Sequence, residues 1–411
     1  MARIVVAVCL VVAGLVAGCS GGGDHQPLAL KLPADYSGSG PGTLLEAYAL
    51  PLTDAQMQSA SSSAARITYT STSGIDDSHP EVSAAVFVPA GSPPPGGWPI
   101  AAFGHPPTGP AHDCAPSRSP NLMGSAATVA ALLAAGYVVT VSDYQGLGLD
   151  RAYHPFLDSA TVGFNLIDSV FATRRLVPTT SVEWVAVGVS QGGQAAWAAD
   201  ELADNAGQGL HLVGAVSVSP IADITGLADA AVAGELTAQQ KLALHAYLAS
   251  LKTEYPDFNL DDYRRGTVRD RWDALSGCLR GAEQTQTEKL ADQIGADDLR
   301  PGSAAAADTL RGFMQKTNLP QGPTAAPMLV VYGGRDPLIA ASWTDRALGG
   351  ACRMGDDIQI QFQPDKGAAD IDISSTFAWI KDRFNGAPAS DDCESFTANT
   401  PVSTPPVTSS P

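Results

Sequence analysis

Gly188-Val189-Ser190-Gln191-Gly192-Gly193 follows the apolar run Val182-Glu183-Trp184-Val185-Ala186-Val187 and precedes Gln194-Ala195-Ala196-Trp197-Ala198-Ala199-Asp200-Glu201-Leu202. The order reads as strand, sharp turn, helix. Gly-x-Ser-x-Gly alone is a weak pattern in a chain with 41 glycines, and a serine capping an ordinary helix after a glycine-rich loop would satisfy it equally. The flanking strand and helix give it weight. In that context small residues let the backbone turn sharply and leave a serine hydroxyl exposed above a sheet, at a helix N-terminus. Ser190 is therefore the candidate nucleophile. The backbone N–H of Gln191 is a candidate oxyanion donor.

Outward from this turn the chain alternates. Strands are expected over 66–72, 84–89, 98–103, 137–142, 212–218, 328–332 and 358–362, with helices over 122–135, 162–176 and 375–384 between them. Short β-branched runs separated by helices indicate an α/β fold, a mainly parallel sheet covered on both faces. Chemistry then belongs at the carboxyl ends of the strands. Between 221 and 326 the strand pattern stops and apolar residues recur at helical spacing over 236–251, 290–294 and 304–314. A helical insertion beside the site is a candidate cap or lid, against the plainer reading of a subdomain that only packs.

The ends of the chain read differently. Met1-Ala2-Arg3, an apolar stretch over 4–16 and Val16-Ala17-Gly18-Cys19 form a signal peptide over 1–18 with a lipobox, in which the Cys19 thiol would carry the lipid. Residues 19–45, with Ser37-Gly38-Ser39-Gly40-Pro41-Gly42, are expected to be a flexible tether between that lipid and a domain over 46–395. Residues 396–411, rich in Pro, Ser and Thr, are expected to be a disordered tail. The formal charge of −18, 42 acidic against 24 basic residues, disfavours nucleic acid and anionic lipid as electrostatic partners. The acyl anchor is thus the expected membrane attachment, on the outer face of the cell membrane. With Cys9 in the signal and Cys19 in the anchor, Cys114, Cys278, Cys352 and Cys393 remain, enough for two disulfides in an oxidising compartment. Spacing leaves all three connectivities open. No Cys-x-x-Cys or His-x-x-x-His pattern occurs, so no metal and no other cofactor is expected.

A serine hydroxyl needs a histidine to take its proton, and the histidine needs a carboxylate to orient it. In this fold class the chain order is Ser, acid, His. Tyr332-Gly333-Gly334-Arg335-Asp336-Pro337 presents Asp336 after a strand, as the acid or, more plainly, as a turn aspartate capping the next helix. The histidine belongs on Gln363-Pro364-Asp365-Lys366-Gly367-Ala368-Ala369-Asp370, and that loop has none. All seven histidines, His25, His79, His105, His112, His154, His211 and His245, precede Asp336.

Gly104-His105-Pro106-Pro107-Thr108-Gly109, Cys114-Ala115-Pro116-Ser117, Ser142-Asp143-Tyr144-Gln145-Gly146-Leu147-Gly148, the turn at Ser190, Gly333-Gly334-Arg335-Asp336 and Trp379-Ile380-Lys381-Asp382-Arg383-Phe384-Asn385-Gly386 with Cys393 together resemble the secretory lipase family of α/β hydrolases. The resemblance covers about 45–395. It implies hydrolysis of lipid or short-chain esters, a helical cap, and disulfides Cys114–Cys278 and Cys352–Cys393. It places the nucleophile at Ser190, the acid at Asp336, and the family's Gly-His pair on Gly367-Ala368. Two further departures are Val189, where the family has His or Tyr, and Pro106-Pro107 within its His-Gly-Thr-Thr-Gly loop. Proline has no N–H, so the second oxyanion donor falls to His105 or Thr108.

Loss of the triad histidine costs roughly 6–8 kcal/mol of transition-state stabilisation. His105, His154 and Lys366 are candidate replacement bases. Two functions follow: a serine esterase or lipase with a relocated base, or a degenerate hydrolase-fold lipoprotein that binds a lipid or a protein partner without turnover.

Overall fold

A computed structural model describes residues 30–399. The strands are β1 (Leu44–Ala49), β2 (Ser61–Thr70), β3 (Glu81–Pro89), β4 (Trp98–Gly104), β5 (Val138–Ser142), β6 (Thr180–Val189), β7 (His211–Val218), β8 (Met328–Gly333) and β9 (Ile358–Gln363). The α-helices are α1 (Ala55–Ala60), α2 (Ala126–Ala134), α3 (Ser159–Leu176), α4 (Gln191–Ala206), α5 (Gly226–Ala233), α6 (Ala238–Glu254), α7 (Gly266–Asp270), α8 (Gln284–Ala291), α9 (Ala304–Thr317), α10 (Ala341–Met354), α11 (Ser374–Phe384) and α12 (Cys393–Asn399). The strands form one nine-stranded sheet in the order β1-β2-β3-β5-β4-β6-β7-β8-β9. β5 through β9 run parallel, whereas β1, β2 and β3 are an antiparallel edge. This is the α/β-hydrolase architecture expected from the sequence.

Period two divides the central strands between two cores. Trp184 and Ala186 of β6, Ile100 and Ala102 of β4, and Met328, Val330 and Tyr332 of β8 pack with Leu166 of α3, Trp197 of α4 and Leu348 of α10. Their sequence neighbours Val185, Val187, Ala101, Phe103, Leu329 and Val331 pack with Val129 and Leu133 of α2 and Trp379 of α11. Both faces are therefore dry, which is why the strands read as unbroken apolar runs. Removing a side chain such as Trp184 or Trp197, both fully buried, costs about 3–5 kcal/mol.

Between β7 and β8 the chain has no strand and builds a third core of its own, with Leu227, Leu244, Leu248, Val268, Leu310 and Met314 at its centre. Its long helix α6 starts with a capping box between Thr237 and Gln240.

Several boundaries differ from the sequence reading. The expected tether does not extend to residue 45: β1 begins at Leu44, Lys31 bridges to Tyr48, and Leu32 N–H bonds Ala47 O at 2.9 Å. The polar, glycine-rich composition hid a segment held by backbone pairing, which composition does not report. Residues 396–399, expected to belong to a disordered tail, are helical instead, because α12 runs to Asn399 behind Cys393. The expected helix over 290–294 is displaced to α8, and α2 starts at Ala126 rather than 122, since Leu122 and Met123 adopt φ of 52°. The signal peptide, Cys19 and residues 400–411 lie outside the described residues. No helix among the described residues is long and apolar enough to cross a membrane.

Candidate active site

Ser190 joins β6 to α4 with φ 60° and ψ −112°, a conformation that costs a non-glycine residue about 1–3 kcal/mol. The neighbours hold it there. Ser190 N–H donates to Val218 O at 2.8 Å, and Ser190 O accepts from Ile221 N at 3.2 Å and Gln194 N at 3.0 Å. The glycines are required by close approach. A Cβ on Gly188 would lie 1.9 Å from Gly192 O, and one on Gly192 would lie 1.9 Å from Gly104 O. β4, β6 and the start of α4 thus touch backbone to backbone. Ser190 is 9% exposed, and among the described residues its Oγ has no hydrogen-bond partner.

The loop after β4 lies alongside. His105 is fully buried and stacked on Tyr144 at 4.2 Å. Its Nδ1 is 2.8 Å from Pro106 O and its Nε2 3.3 Å from Asp143 O. A neutral ring has one N–H to give, so one of these contacts is a hydrogen bond and the other nitrogen faces a carbonyl without one. Burial pushes the ring down to about 4, against the pull of those two carbonyls. The structure therefore brings His105 to the loop and not to the Ser190 hydroxyl, and its side chain is placed neither to act as base nor to serve as an oxyanion donor. Thr108 is placed differently: its Oγ1 is buried with no partner, an orphan hydroxyl on the loop whose Pro106 and Pro107 offer no N–H. The nearby Asp143 carboxylate is also occupied, accepting from Ser117 N and Oγ and from Ser83 Oγ.

His154 touches the turn directly. Its Nε2 accepts from Gln191 Nε2 at 3.2 Å and its Nδ1–H donates to Gln145 O at 2.8 Å. Burial pushes this ring down to about 4 as well. The imidazole fixes the side chain beside Ser190, a pairing that a separation of 37 residues concealed in the sequence. It makes no bond to Ser190 itself.

Asp336 and Ala368 follow β8 and β9, so both lie at the same sheet edge as Ser190 after β6. Their loops interlock: Arg335 N–H donates to Lys366 O at 2.8 Å, Gly334 N–H to Gln363 O at 3.0 Å, and a Cβ on Gly333 would lie 2.2 Å from Lys366 O. Asp336 Oδ1 accepts from Leu338 N at 2.8 Å and Ile339 N at 3.1 Å, so the carboxylate organises its own turn. Among the described residues no histidine meets it. Lys366 is half-exposed and paired with Asp370 at 3.5 Å, not in the buried setting that a lysine base requires.

Disulfides Cys114–Cys278 and Cys352–Cys393 are both formed. The first closes a separation of 164 residues and ties the helical insertion to the loop carrying Thr108: Leu279 N–H donates to Thr108 O at 2.9 Å. Constraining so long a loop in the unfolded chain contributes about 5 kcal/mol in the entropic account. Among the described residues no group of three His, Cys, Asp or Glu side chains could hold a metal.

The sequence profile of the family described as "Secretory lipase" matches residues 123–392. Solved structures similar to this one include Candida antarctica lipase A in its closed state, with a TM-score of 0.69 at 17% identity, covering 89% of this chain and 87% of that one. Another is the rice cell wall degrading esterase LipA from Xanthomonas oryzae, with a TM-score of 0.67 at 21% identity, covering 85% of this chain and 100% of that one. At these identities the likeness is one of fold. No curated protein matches significantly by sequence.

Proposed function

The chain belongs to the secretory lipase family, and from that premise we propose that it is a carboxylic ester hydrolase whose Ser190 site binds a lipid or short-chain ester but turns it over slowly. One observation carries this reading. Ser190 is held in a strained turn with an unpartnered hydroxyl, while the loop on which the family resemblance would put a histidine carries Ala368.

In the proposed reaction Ser190 Oγ attacks the ester carbonyl. The developing oxyanion is met by the Gln191 N–H and by the orphan Thr108 hydroxyl. The alcohol leaves, and water then cleaves the acyl-serine. The step without support is proton removal from Ser190, because among the described residues no histidine meets Asp336 and the buried rings of His105 and His154 are held against other partners. Proton transfer to solvent is a poor substitute for a positioned imidazole. The alternative, a fold that binds a lipid or partner with no turnover, draws on the same absence.

Hydrolysis of a p-nitrophenyl ester series by the full chain, beside Ser190→Ala and Ala368→His, tests the reading. Expected are slow turnover in the parent, its loss with Ser190, and a large gain in Ala368→His. An inert parent and an inert Ala368→His variant together would leave only the binding alternative. The oxidised disulfides fit an extracytoplasmic compartment. We place the chain there by its signal peptide over 1–18 and by lipid on Cys19. The full chain should partition into detergent phase, and Cys19→Ser should not.

A further inference from the structure

An open cleft of about 640 Å³ is lined by Ser119, Asn121, Met123 and Gly124 on one side and by Arg280 and Gln284 of the helical insertion on the other. Arg280 is half-buried within it. Its Nη1 stands so close over Gly124 that a Cβ there would be 3.8 Å away. Among the described residues no carboxylate lies within ion-pair distance of this guanidinium. The nearest to influence it, Glu288, is held by Gln284 Nε2 at 2.9 Å. The neighbouring Glu283 is committed to Cys278 N–H.

What marks this cation is its place, half-buried in a cleft with no carboxylate in reach among the described residues, on a strongly acidic chain. Acidic residues outnumber basic ones 42 to 24, and arginines such as Arg175, Arg311, Arg335 and Arg346 have carboxylate partners while others, Arg66 and Arg265 among them, bond hydroxyl or carbonyl oxygens instead. Burial lowers the proton affinity of Arg280, against the opposing charge of Glu288. A partly desolvated, unpaired guanidinium presents its donor fork to planar or tetrahedral oxyanions.

Its attachment ties it to the loop that carries Thr108. Cys278, two residues before it, is bonded to Cys114, and Leu279 N–H holds Thr108 O. A Cβ on Gly109 would lie 2.9 Å from Cys278 Cα. The charge of Arg280 is felt at His105. Recognition at this cleft is therefore mechanically tied to the loop carrying the orphan hydroxyl.

We propose that Arg280 is a specificity-determining residue that binds an anionic group, carboxylate or phosphate, carried by the ester substrate, with Ser119, Asn121 and Gln284 supplying further polar contacts. This rests on the reading of Ser190 as an ester site, but the binding test below needs no turnover.

Calorimetric titration of the full chain with hexyl phosphate, 1-hexanol and inorganic phosphate tests it. Hexyl phosphate should bind the parent and bind Arg280→Gln about tenfold or more weakly, with an affinity that falls as salt rises. Gln284→Glu, which adds a carboxylate to the same cleft and leaves Arg280 in place, should weaken binding comparably. Equal binding by the parent and Arg280→Gln overturns the proposal. Inorganic phosphate binding as tightly as hexyl phosphate also overturns it, because the cleft would then hold a free anion rather than a substrate tail. Ester hydrolysis absent in every variant would defeat the reading of Ser190 and leave this binding result standing.

Discussion

The turn at Ser190 and the corner formed by Asp336 and Ala368 stand at the same edge of the same parallel sheet, and they are held by different means. At Ser190 the backbone does the holding: Gly104, Gly188 and Gly192 meet without room for a Cβ, and three backbone hydrogen bonds lock a strained φ. At Asp336 the two loops also grip each other through backbone bonds, but the base itself is one side chain on a half-exposed loop. The comparison separates two kinds of constraint. The position of Ser190 is distributed over many backbone contacts, none of which a single side chain supplies. A side chain at 368 can change through a single substitution without disturbing those backbone contacts.

The largest effect that would sharpen this contrast is in Ala368→His. If only the side chain is missing, kcat should rise about 10³-fold or more in the ester assay, with little change in thermal stability. A variant that is no faster than the parent would show that the corner has lost more than its imidazole. The converse change at the elbow is Gly192→Ala, where one methyl meets Gly104 O at 1.9 Å. A cost of about 4 kcal/mol or more is expected, read as a fall in the urea midpoint. A tolerated alanine would break the claim that backbone contact enforces the turn.

The smallest expected effect concerns pH. His154 is neutral beside Gln191, its ring pushed by burial from 6.5 down to about 4. Between those values the unfolded chain binds a proton that the folded one does not. The stability tied to this group is thus full above about pH 6.5 and is lost as pH falls toward 4. Lowering the pH to 5 should cost the parent about 2 kcal/mol more than His154→Gln, all other groups being common to both. Parallel urea midpoints at pH 7.5 and 5 check this, and equal losses would remove His154 as the acid-sensitive element of the elbow. The Asp336–Ala368 side contains no histidine and should show no matching slope.

Much of this was legible in the chain itself, because the signals are local. Strand and helix periodicity around Ser190 needs only neighbours, and so does the strand-then-glycine turn before Asp336. The absence of histidine after Asp336 is plain from counting. The cysteine pairing came through family resemblance, since four cysteines by themselves admit three pairings. The order of the segment before β1 was hidden because a glycine-rich stretch can be held by backbone bonds that leave no mark on composition.

What the sequence by itself determined is the fold class, the turn at Ser190 and the absence of any histidine after Asp336, all of which follow from residue type and short-range order. Only the tertiary structure decided that the His105 ring faces carbonyls, that His154 grips Gln191, that Thr108 keeps an unpartnered hydroxyl and that Arg280 stands without a counter-ion. Each of those is a fact about which groups distant in the chain meet, and how completely each donor or acceptor is satisfied. Hydrogen-bond satisfaction and charge pairing are set by three-dimensional packing, so the same residues in another packing would have had other roles.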